Sequence, residues 1–188
     1  VTLSEDGEYL VRVADFVYAG SNDYGYRLTL HVGPHIDFVI PPAGVPGSTA
    51  KYTLYGRNLP GSKPAGIASD GRQLEKLDVQ IALPNTSDQL QPGNSLFARE
   101  AGIDGSSYVF KGANGFSNPV TIAFAPRAVG LEVEPNNEAA QSQKITIPAE
   151  IAGQFQERAD VDRFEFEARK GQIFWVEVFA QRLGSLAD

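Results

Sequence analysis

The stretch KLDVQIAL, residues Lys76 to Leu83, alternates large apolar side chains with polar or small ones. Successive side chains of a β-strand point to opposite faces, so the large apolar residues of this stretch share one face. They are Leu77, Val79, Ile81 and Leu83. The pattern predicts a strand that buries one face against a core and exposes the other face to water.

Two strands of the same kind are predicted upstream. HIDFVI, residues 35–40, is a short strand that ends at Pro41-Pro42. TAKYTLYGRNL, residues 49–59, is a strand that directs Tyr52 and Leu54 inward, with Ala50 as a further candidate for the inward face. Proline lacks the N–H that a sheet ladder needs, so Pro41-Pro42 marks the end of a strand.

Downstream, the chain first becomes polar and rich in glycine and proline over residues 84–105, where no regular structure is expected. Asn114-Gly115 is then a strong hairpin signal, and it precedes a strand at Val120–Ala125. Short strands separated by turns predict a β-sandwich for residues 33–128.

Residues 1–32 predict two antiparallel strands, EYLVRVADF and YRLTLHV. The second strand alternates strictly, with one face formed by Tyr26, Leu28, Leu30 and Val32. A lone hairpin is only marginally stable in water, so these two strands are expected to pair with partners elsewhere.

Residues 129–188 contain four strand candidates: KITIP, EIAGQF, DRFEFEA and QIFWVEVFA. The last carries large apolar side chains on both faces, including Phe174 and Phe179, so it is expected to be a central strand covered on both sides. The helix candidate in this piece, NEAAQSQ, is one or two turns long. The predicted fold class of the chain is therefore all-β.

The composition excludes several classes of partner. The chain of 188 residues has a formal net charge of −7 and no run of lysine or arginine, which argues against nucleic acid and anionic membranes. No apolar run approaches the roughly 20 residues of a membrane span, so no span is expected. The absence of cysteine excludes thiol catalysis and disulfides, and the absence of methionine suggests an internal segment of a longer protein.

Two pieces of the chain carry motifs of one family. EVEPNN at residues 132–137, followed by GQF and DVDRFEFEARKGQ, resembles the opening half of a bacterial pre-peptidase C-terminal domain, a secreted β-sandwich. DGEYLVRV and YGYRLTL, in residues 1–32, resemble the closing strands of the same domain. The resemblance implies that residues 1–32 end one jelly-roll-like sandwich and residues 129–188 begin the next, so that both terminal sandwiches are incomplete.

The piece between them, residues 33–128, resembles an immunoglobulin-like domain of the IPT/TIG type. Its motif positions are Ile36, Pro41 or Pro42, Gly44, Gly47, Gly56, Asn58 and Leu59. The resemblances together imply tandem antiparallel β-sandwiches in three parts, residues 1–32, 33–128 and 129–188. The arrangement is similar to large exported proteins of planctomycete-type bacteria, which implies a secreted, cell-surface or periplasmic location.

Two acidic pairs, Glu132/Glu134 and Asp160/Asp162, are the most informative polar residues. Residues two apart in an extended chain point the same way, and pairs brought together would repel one another unless a cation binds. Carboxylate and amide oxygens at irregular spacing suit calcium. The residues and the resemblance together give six candidate ligands: Glu132, Glu134, Asn136, Asn137, Asp160 and Asp162. The alternative interpretation is four solvated surface acids, with Asn136 forming a turn.

Trp175 and Phe179 are candidates for a ligand-binding platform that stacks on sugars or contacts a protein; the alternative is packing between sheets. No catalytic residues are predicted. The chain has two histidines, His31 and His35, and no G-x-S-x-G motif that would supply a nucleophile to either of them.

The segment is therefore not expected to be an enzyme. The first functional hypothesis is an accessory or adhesive module, stabilised by calcium, that binds an extracellular protein or polysaccharide and adjoins neighbouring domains of its parent chain. The second hypothesis is an accessory segment of a secreted peptidase that serves export or substrate docking, or that is removed as a pro-segment.

Overall fold

The structure is a computed structural model that describes residues 3–69, 71–87, 102–185 and 187. The chain forms two units, Val1–His31 and Val32–Asp188. The domain boundaries after residues 32 and 128 that the sequence suggests remain predictions.

Nearly all regular structure in the described residues is β-strand, so the predicted all-β class is confirmed. Two single turns of 3-10 helix, Ala139–Gln141 and Gln181–Leu183, are the helical elements of the described residues. No helix in this part of the chain has the length and apolar character that a membrane span requires. In chain order the strands are β1 (His35–Ile40), β2 (Ala43–Gly44), β3 (Thr49–Arg57), β4 (Lys63–Ser69), β5 (Arg72–Ala82), β6 (Gly105–Tyr108), β7 (Lys111–Gly112), β8 (Gly115–Phe116), β9 (Val120–Phe124), β10 (Val129–Leu131), β11 (Gln143–Lys144), β12 (Glu150–Ala152) and β13 (Phe164–Glu165).

The largest sheet contains four antiparallel strands in the order β1-β3-β5-β4. The alternation predicted for β5 is confirmed, because Ile81 is buried and Leu77 and Val79 are half-buried, whereas the residues between them are exposed. Leu54 of β3 stands directly opposite Leu77 and is fully buried. The predicted strands over residues 35–40 and 49–59 are confirmed as β1 and β3, although β3 ends two residues earlier than predicted.

Strands β1 and β3 approach each other closely at Gly56, which is paired with Ile36. A side chain at position 56 would collide with the carbonyl oxygen of His35, so only glycine fits there. On the face opposite Leu54, the rings of Phe38 and Tyr55 stack with centroids 4.6 Å apart.

A second sheet has the order β2-β9-β6. Strand β6 is antiparallel to β9, but β2 is parallel to it, which differs from the predicted purely antiparallel pairing. The reason lies at Pro41-Pro42: proline cannot donate to the β1 ladder, and the chain continues into the second sheet without reversing. The N–H of Ala123 there donates to the carbonyl of Pro42 at 2.9 Å. Most of the predicted irregular stretch, residues 88–101, lies outside the described residues.

One hydrophobic core receives side chains from both sheets. Asn118, just before β9, also ties the sheets together, because its side chain accepts from the N–H of Ile36 at 2.8 Å and donates to the Ile36 carbonyl at 2.9 Å. The predicted hairpin beside Asn118 is confirmed, but β7 and β8 pair around Ala113-Asn114, one residue earlier than the predicted Asn114-Gly115 turn. The buried core residues are Ile36, Val39, Tyr52, Leu54, Leu59, Ile81, Leu83 and Ile122.

Short parallel strand pairs organise the described residues after position 128. Strand β10 pairs with β12, and β11 pairs with β13. The segment 132–137 follows β10 directly, and the loop at residues 160–162 comes just before β13. The two ladders therefore bring together parts of the chain that are far apart in sequence.

The prediction of two strands in residues 1–32 is wrong for the described part of this region. Residues 3–31 contain no strand, and large apolar side chains such as Leu10, Phe16 and Leu30 are exposed. Alternation predicts a strand only where a partner sheet covers the apolar face. Here the described unit offers too little buried surface to offset the entropy of ordering the chain.

The prediction of a central strand covered on both sides at QIFWVEVFA is also wrong. Residues 172–180 have no ladder partner, and Ile173, Trp175, Val176 and Val178 are largely exposed. Of the neighbouring candidate DRFEFEA, only Phe164–Glu165 forms a strand. An apolar run has the composition of a buried strand, but burial depends on partners that the run itself does not specify.

Candidate metal centre

The carboxylates of Glu132, Glu134 and Asp162 come together in the structure, and Asp160 lies outside this group although its negative charge acts on Glu132. The parallel pairing of β10 with β12 continues one residue past β10, where the N–H of Glu132 donates to the carbonyl of Ala152 at 2.9 Å. One carboxylate oxygen from each of Glu132, Glu134 and Asp162 lies within 4.8 Å of the other two. All three residues are half-buried, so the cluster is partly withdrawn from water.

Three of the carboxylates are held by backbone N–H groups through one of their two oxygens. Such hydrogen bonds fix the orientation of a carboxylate in the way that outer partners orient metal ligands. The pairs are Gln154 N–H to Glu132 Oε1, Asn136 N–H to Glu134 Oε2 at 2.9 Å, and Gln156 N–H to Asp160 Oδ2 at 2.6 Å.

The remaining oxygen of each of the three anchored carboxylates, and one oxygen of Asp162, is buried and has no hydrogen-bond partner. Buried polar atoms without a partner are rare in native proteins, and each one calls for an explanation such as a bound ion or water. The unpartnered carboxylate oxygens are Glu132 Oε2, Glu134 Oε1, Asp160 Oδ1 and Asp162 Oδ1.

Asn136 belongs to the same set of buried polar groups without hydrogen-bond partners, although its side chain is neutral. Its side chain is 0% exposed, and neither its Oδ1 nor its Nδ2 has a hydrogen-bond partner. It lies two residues from Glu134, whose carboxylate accepts from its N–H. A fully buried amide with no partner costs free energy, and cation coordination through Oδ1 is one way to offset that cost.

Asn137 has a partner of its own. Its Oδ1 accepts from the N–H of Val161 at 2.8 Å, which ties the segment after β10 directly to the loop between Asp160 and Asp162. The role of Asn137 as a metal ligand stays a prediction. In the structure, its hydrogen bond holds the two halves of the cluster side by side.

The electrostatics of the cluster are repulsive. Burial raises the pKa of Glu132 above its ordinary value, and the negative charges of Asp162, Glu134 and Asp160 raise it further, while the N–H of Gln154 opposes them. The charges that act on Glu132 are all negative, so in the metal-free chain the cluster opposes its own ionisation. The arrangement is suited chemically to binding a hard cation through oxygen.

The raised pKa of Glu132 gives the metal-free protein a defined pH dependence. The folded state binds the Glu132 proton more tightly than the unfolded state, so the stabilisation from protonation is fully present below pH 4.5 and is lost as the pH rises through the folded pKa. We expect urea unfolding in EDTA to show that Glu132→Gln removes part of the decline in stability above pH 4.5. An identical pH profile in Glu132→Gln and the parent chain would contradict this.

Gly153 shapes the space around Glu132. A Cβ atom at position 153 would overlap Glu132 Oε2, the unpartnered oxygen, although no positive φ requires glycine there. We expect Gly153→Ala to push the flexible Glu132 carboxylate aside, weakening cation binding at least tenfold while changing metal-free stability by less than about 1 kcal/mol. Calorimetric calcium titration measures the change in cation binding, and urea unfolding in EDTA measures the change in metal-free stability. Gly102→Ala, where a Cβ has open space, is the matched control.

Trp175 and Phe179, the candidate ligand platform, lie away from any ladder. Trp175 is 89% exposed, which excludes packing between sheets within the described chain. The guanidinium of Arg182 lies 4.1 Å from the centroid of the Phe179 ring and donates to Glu177 Oε1 at 2.8 Å. Whether this face binds a ligand stays a prediction.

Sequence reasoning had identified the acidic residues of the cluster but missed three structural features of it. These are the glycine at position 153, the backbone donors of Gln154 and Gln156, and the bond from Val161 to Asn137. The one available signal was GQF at residues 153–155, in which a glycine follows a strand candidate. Backbone donors leave no signature in the sequence, because every residue except proline carries one.

Comparison with known proteins gives no family for this chain. No protein-family model matches it, and neither the curated proteins nor the solved structures provide a match.

Proposed function

We propose that this chain is a non-catalytic accessory module of an exported bacterial protein and that it binds calcium through the cluster around Glu132. The observation that carries the proposal is the set of buried oxygens without partners, four from carboxylates and one from the amide of Asn136. Three of the carboxylates that provide them are already oriented by backbone N–H groups. Such a set is preorganised for a cation and costs free energy without one.

The chemistry of the donors favours calcium over other metals. The candidate ligands are all oxygens, whereas zinc sites use histidine or cysteine, and neither residue type is present in the cluster. Magnesium requires near-ideal octahedral geometry and keeps several waters, whereas calcium accepts six to eight oxygens in flexible arrangements. Side chains from two separate loops, reaching inward at irregular spacing, fit the calcium pattern better.

In this proposal calcium has a structural role. It joins the segment after β10, which carries Glu132 and Glu134, to the loop before β13, which carries Asp160 and Asp162. The hydrogen bond between Val161 and Asn137 already aligns these two segments, and the cation would supply the attraction that the four carboxylates lack. Bound calcium would therefore offset the repulsion between the carboxylates and hold the two segments rigidly together.

The wider architecture we propose is a series of β-sandwiches. For residues 33–128, support comes from two sheets that contribute side chains to one core. For residues 129–188, support comes from the motif resemblance and the short parallel ladders around the acidic cluster. A rigid series of this kind would space and present other domains at the cell surface or in the periplasm and would contact an extracellular protein or polysaccharide.

Isothermal titration with calcium and then magnesium tests the proposal. We expect one calcium to bind per chain, magnesium to compete weakly, and Glu134→Gln to weaken calcium binding at least tenfold. Glu138→Gln is the control, because Glu138 is exposed and its side chain makes no capping hydrogen bond. No heat of binding at millimolar calcium, or equal effects of both variants, would refute the proposed site.

A further inference from the structure

The chain between β12 and β13, residues 153–162, forms an irregular loop with an exposed tip. It contains no strand or helix, and the side chains of residues 155–159 are all exposed. A turn closes the tip, because the N–H of Asp160 donates to the carbonyl of Glu157 at 3.3 Å. Ala159 has a left-handed backbone conformation with a φ of 67°, which is unfavourable for a residue that carries a side chain. The tip therefore contributes little to its own stability.

The loop is attached to the rest of the molecule beside the candidate calcium ligands. In the described structure two hydrogen bonds join residues 153–162 to other segments. The N–H of Gln154 donates to Glu132 Oε1, and the N–H of Val161 donates to Asn137 Oδ1 at 2.8 Å. Both acceptors lie in the segment that follows β10, so the order of the loop depends on how firmly it is held to that segment.

Without a cation, the carboxylates oppose this attachment. Glu132 and Asp160 each hold one backbone N–H of the loop with one carboxylate oxygen. Their other oxygens, and one oxygen of Asp162, are buried without a hydrogen-bond partner. Opening the loop would move Asp160 and Asp162 away from Glu132 and return these oxygens to water, which relieves both the repulsion and the lost hydration. A cation that binds the closed loop alone favours the closed form by mass action.

We propose that bound calcium protects the peptide bond between Arg158 and Ala159 from endopeptidases that cleave after arginine, whereas the metal-free loop opens and exposes this bond. The inference rests on the proposed calcium site and adds control of proteolysis to it. Arg158 is the one basic residue in 153–162, and it lies at the exposed tip, where nicking of folded chains concentrates. When reclosing is fast, the rate of such cleavage follows the population of the locally opened form.

Cleavage after Arg158 would also divide the proposed ligand set. Water adds across the peptide bond, the C–N bond breaks, and a carboxylate forms on Arg158 and an amine on Ala159. The candidate ligands in residues 132–137 then belong to one fragment, and those in residues 160–162 belong to the other. The loss of the covalent link lowers the effective concentration of one half of the site for the other half. Calcium would therefore protect the bond on which its own binding site depends.

Limited digestion of the whole chain with trypsin, in EDTA and in calcium, tests this inference, and mass spectrometry measures the cleavage of each bond. Calorimetry of the same preparation gives the dissociation constant for calcium. At a calcium concentration about one hundred times that constant, we expect cleavage after Arg158 to slow roughly hundredfold. The bond after Arg27 is the internal control, because Arg27 is exposed, lies outside any strand and belongs to the other unit. Its cleavage rate should be the same in both conditions.

Glu134→Gln removes a proposed ligand outside the loop and should lose most of the protection at the same calcium concentration, whereas Glu138→Gln should keep it. Calcium that binds in calorimetry but leaves cleavage after Arg158 unchanged overturns this inference alone and leaves the proposed site standing. The absence of binding in calorimetry overturns both. Equal slowing at Arg27 and Arg158 overturns the inference as well, since calcium would then act on the protease, and so does protection that Glu134→Gln retains in full.

Discussion

Replacing Asp162 by asparagine is expected to abolish the thermal stabilisation of this protein by calcium while making the metal-free protein more stable. In EDTA the substitution removes one of the negative charges that oppose ionisation of Glu132, so the melting temperature should rise. In calcium it removes a proposed ligand whose carboxylate lies in one group with those of Glu132 and Glu134, so the gain expected from binding should disappear. The substitution should therefore raise the melting temperature in EDTA and remove the rise that calcium produces. Few other substitutions would combine these two changes.

The size of the calcium effect follows from mass action. At a calcium concentration one hundred times the dissociation constant, binding stabilises the folded state by about 2.7 kcal/mol. For a chain of this length that corresponds to a rise in melting temperature of roughly 5–10 °C. Differential scanning calorimetry with and without calcium measures it.

The Asp162→Asn experiment has a clear control in Glu138→Gln, which removes an exposed acid from the same region. We expect Glu138→Gln to keep the full calcium response. If Asp162→Asn also keeps it, Asp162 is not a ligand. If Asp162→Asn lowers stability equally in EDTA and in calcium, the carboxylate has a structural role that needs no metal.

The second large effect is expected at Leu54, which lies at the centre of the core between the two sheets. Its side chain is 0% exposed, and its Cα partners are Val39 in β1 and Leu77 in β5. Leu54→Ala removes buried methyl groups and leaves a cavity, which costs about 2–5 kcal/mol. Urea unfolding followed by circular dichroism should show the loss as a lower transition midpoint.

Leu131→Ala is the matched control for Leu54→Ala, because the same side-chain atoms are removed from a residue that is 51% exposed. We expect it to cost less than about 1 kcal/mol. Equal losses in the two variants would mean that the core is not where the structure places it. Calcium titration of Leu54→Ala under folding conditions should give the parent affinity, since Leu54 is remote in sequence from the candidate ligands and is not among them.

The strands that could be predicted from sequence are those whose burial is one-sided. In β5, alternation assigns Leu77, Val79 and Ile81 to the core face, and the structure agrees because β1, β3 and the second sheet supply the surface that covers them. The same rule failed for residues 1–32, which alternate as well but have no partner strand within the described unit. Periodicity shows which face of a strand is apolar and does not show that anything covers it.

The candidate site was predictable in its residue types but not in its construction. The spacing of Glu132/Glu134 and Asp160/Asp162 marks two acidic pairs. Their proximity depends on the pairing of β10 with β12 and of β11 with β13, which the sequence does not specify. The division of each anchored carboxylate into one bonded and one unpartnered oxygen depends on backbone N–H groups whose positions only the fold sets.

By itself, the sequence determined the all-β class, the strands predicted over residues 35–40, 49–59, 76–83 and 120–125, and the identity of the acidic residues, because alternation and residue chemistry are local properties of the chain. The tertiary structure alone decided that Glu132, Glu134 and Asp162 meet, that Asn136 is buried without a partner, and that residues 172–180 stand uncovered. These are properties of contacts between distant segments. Their free energy comes from burial and from charge proximity, and both depend on where the chain returns in space.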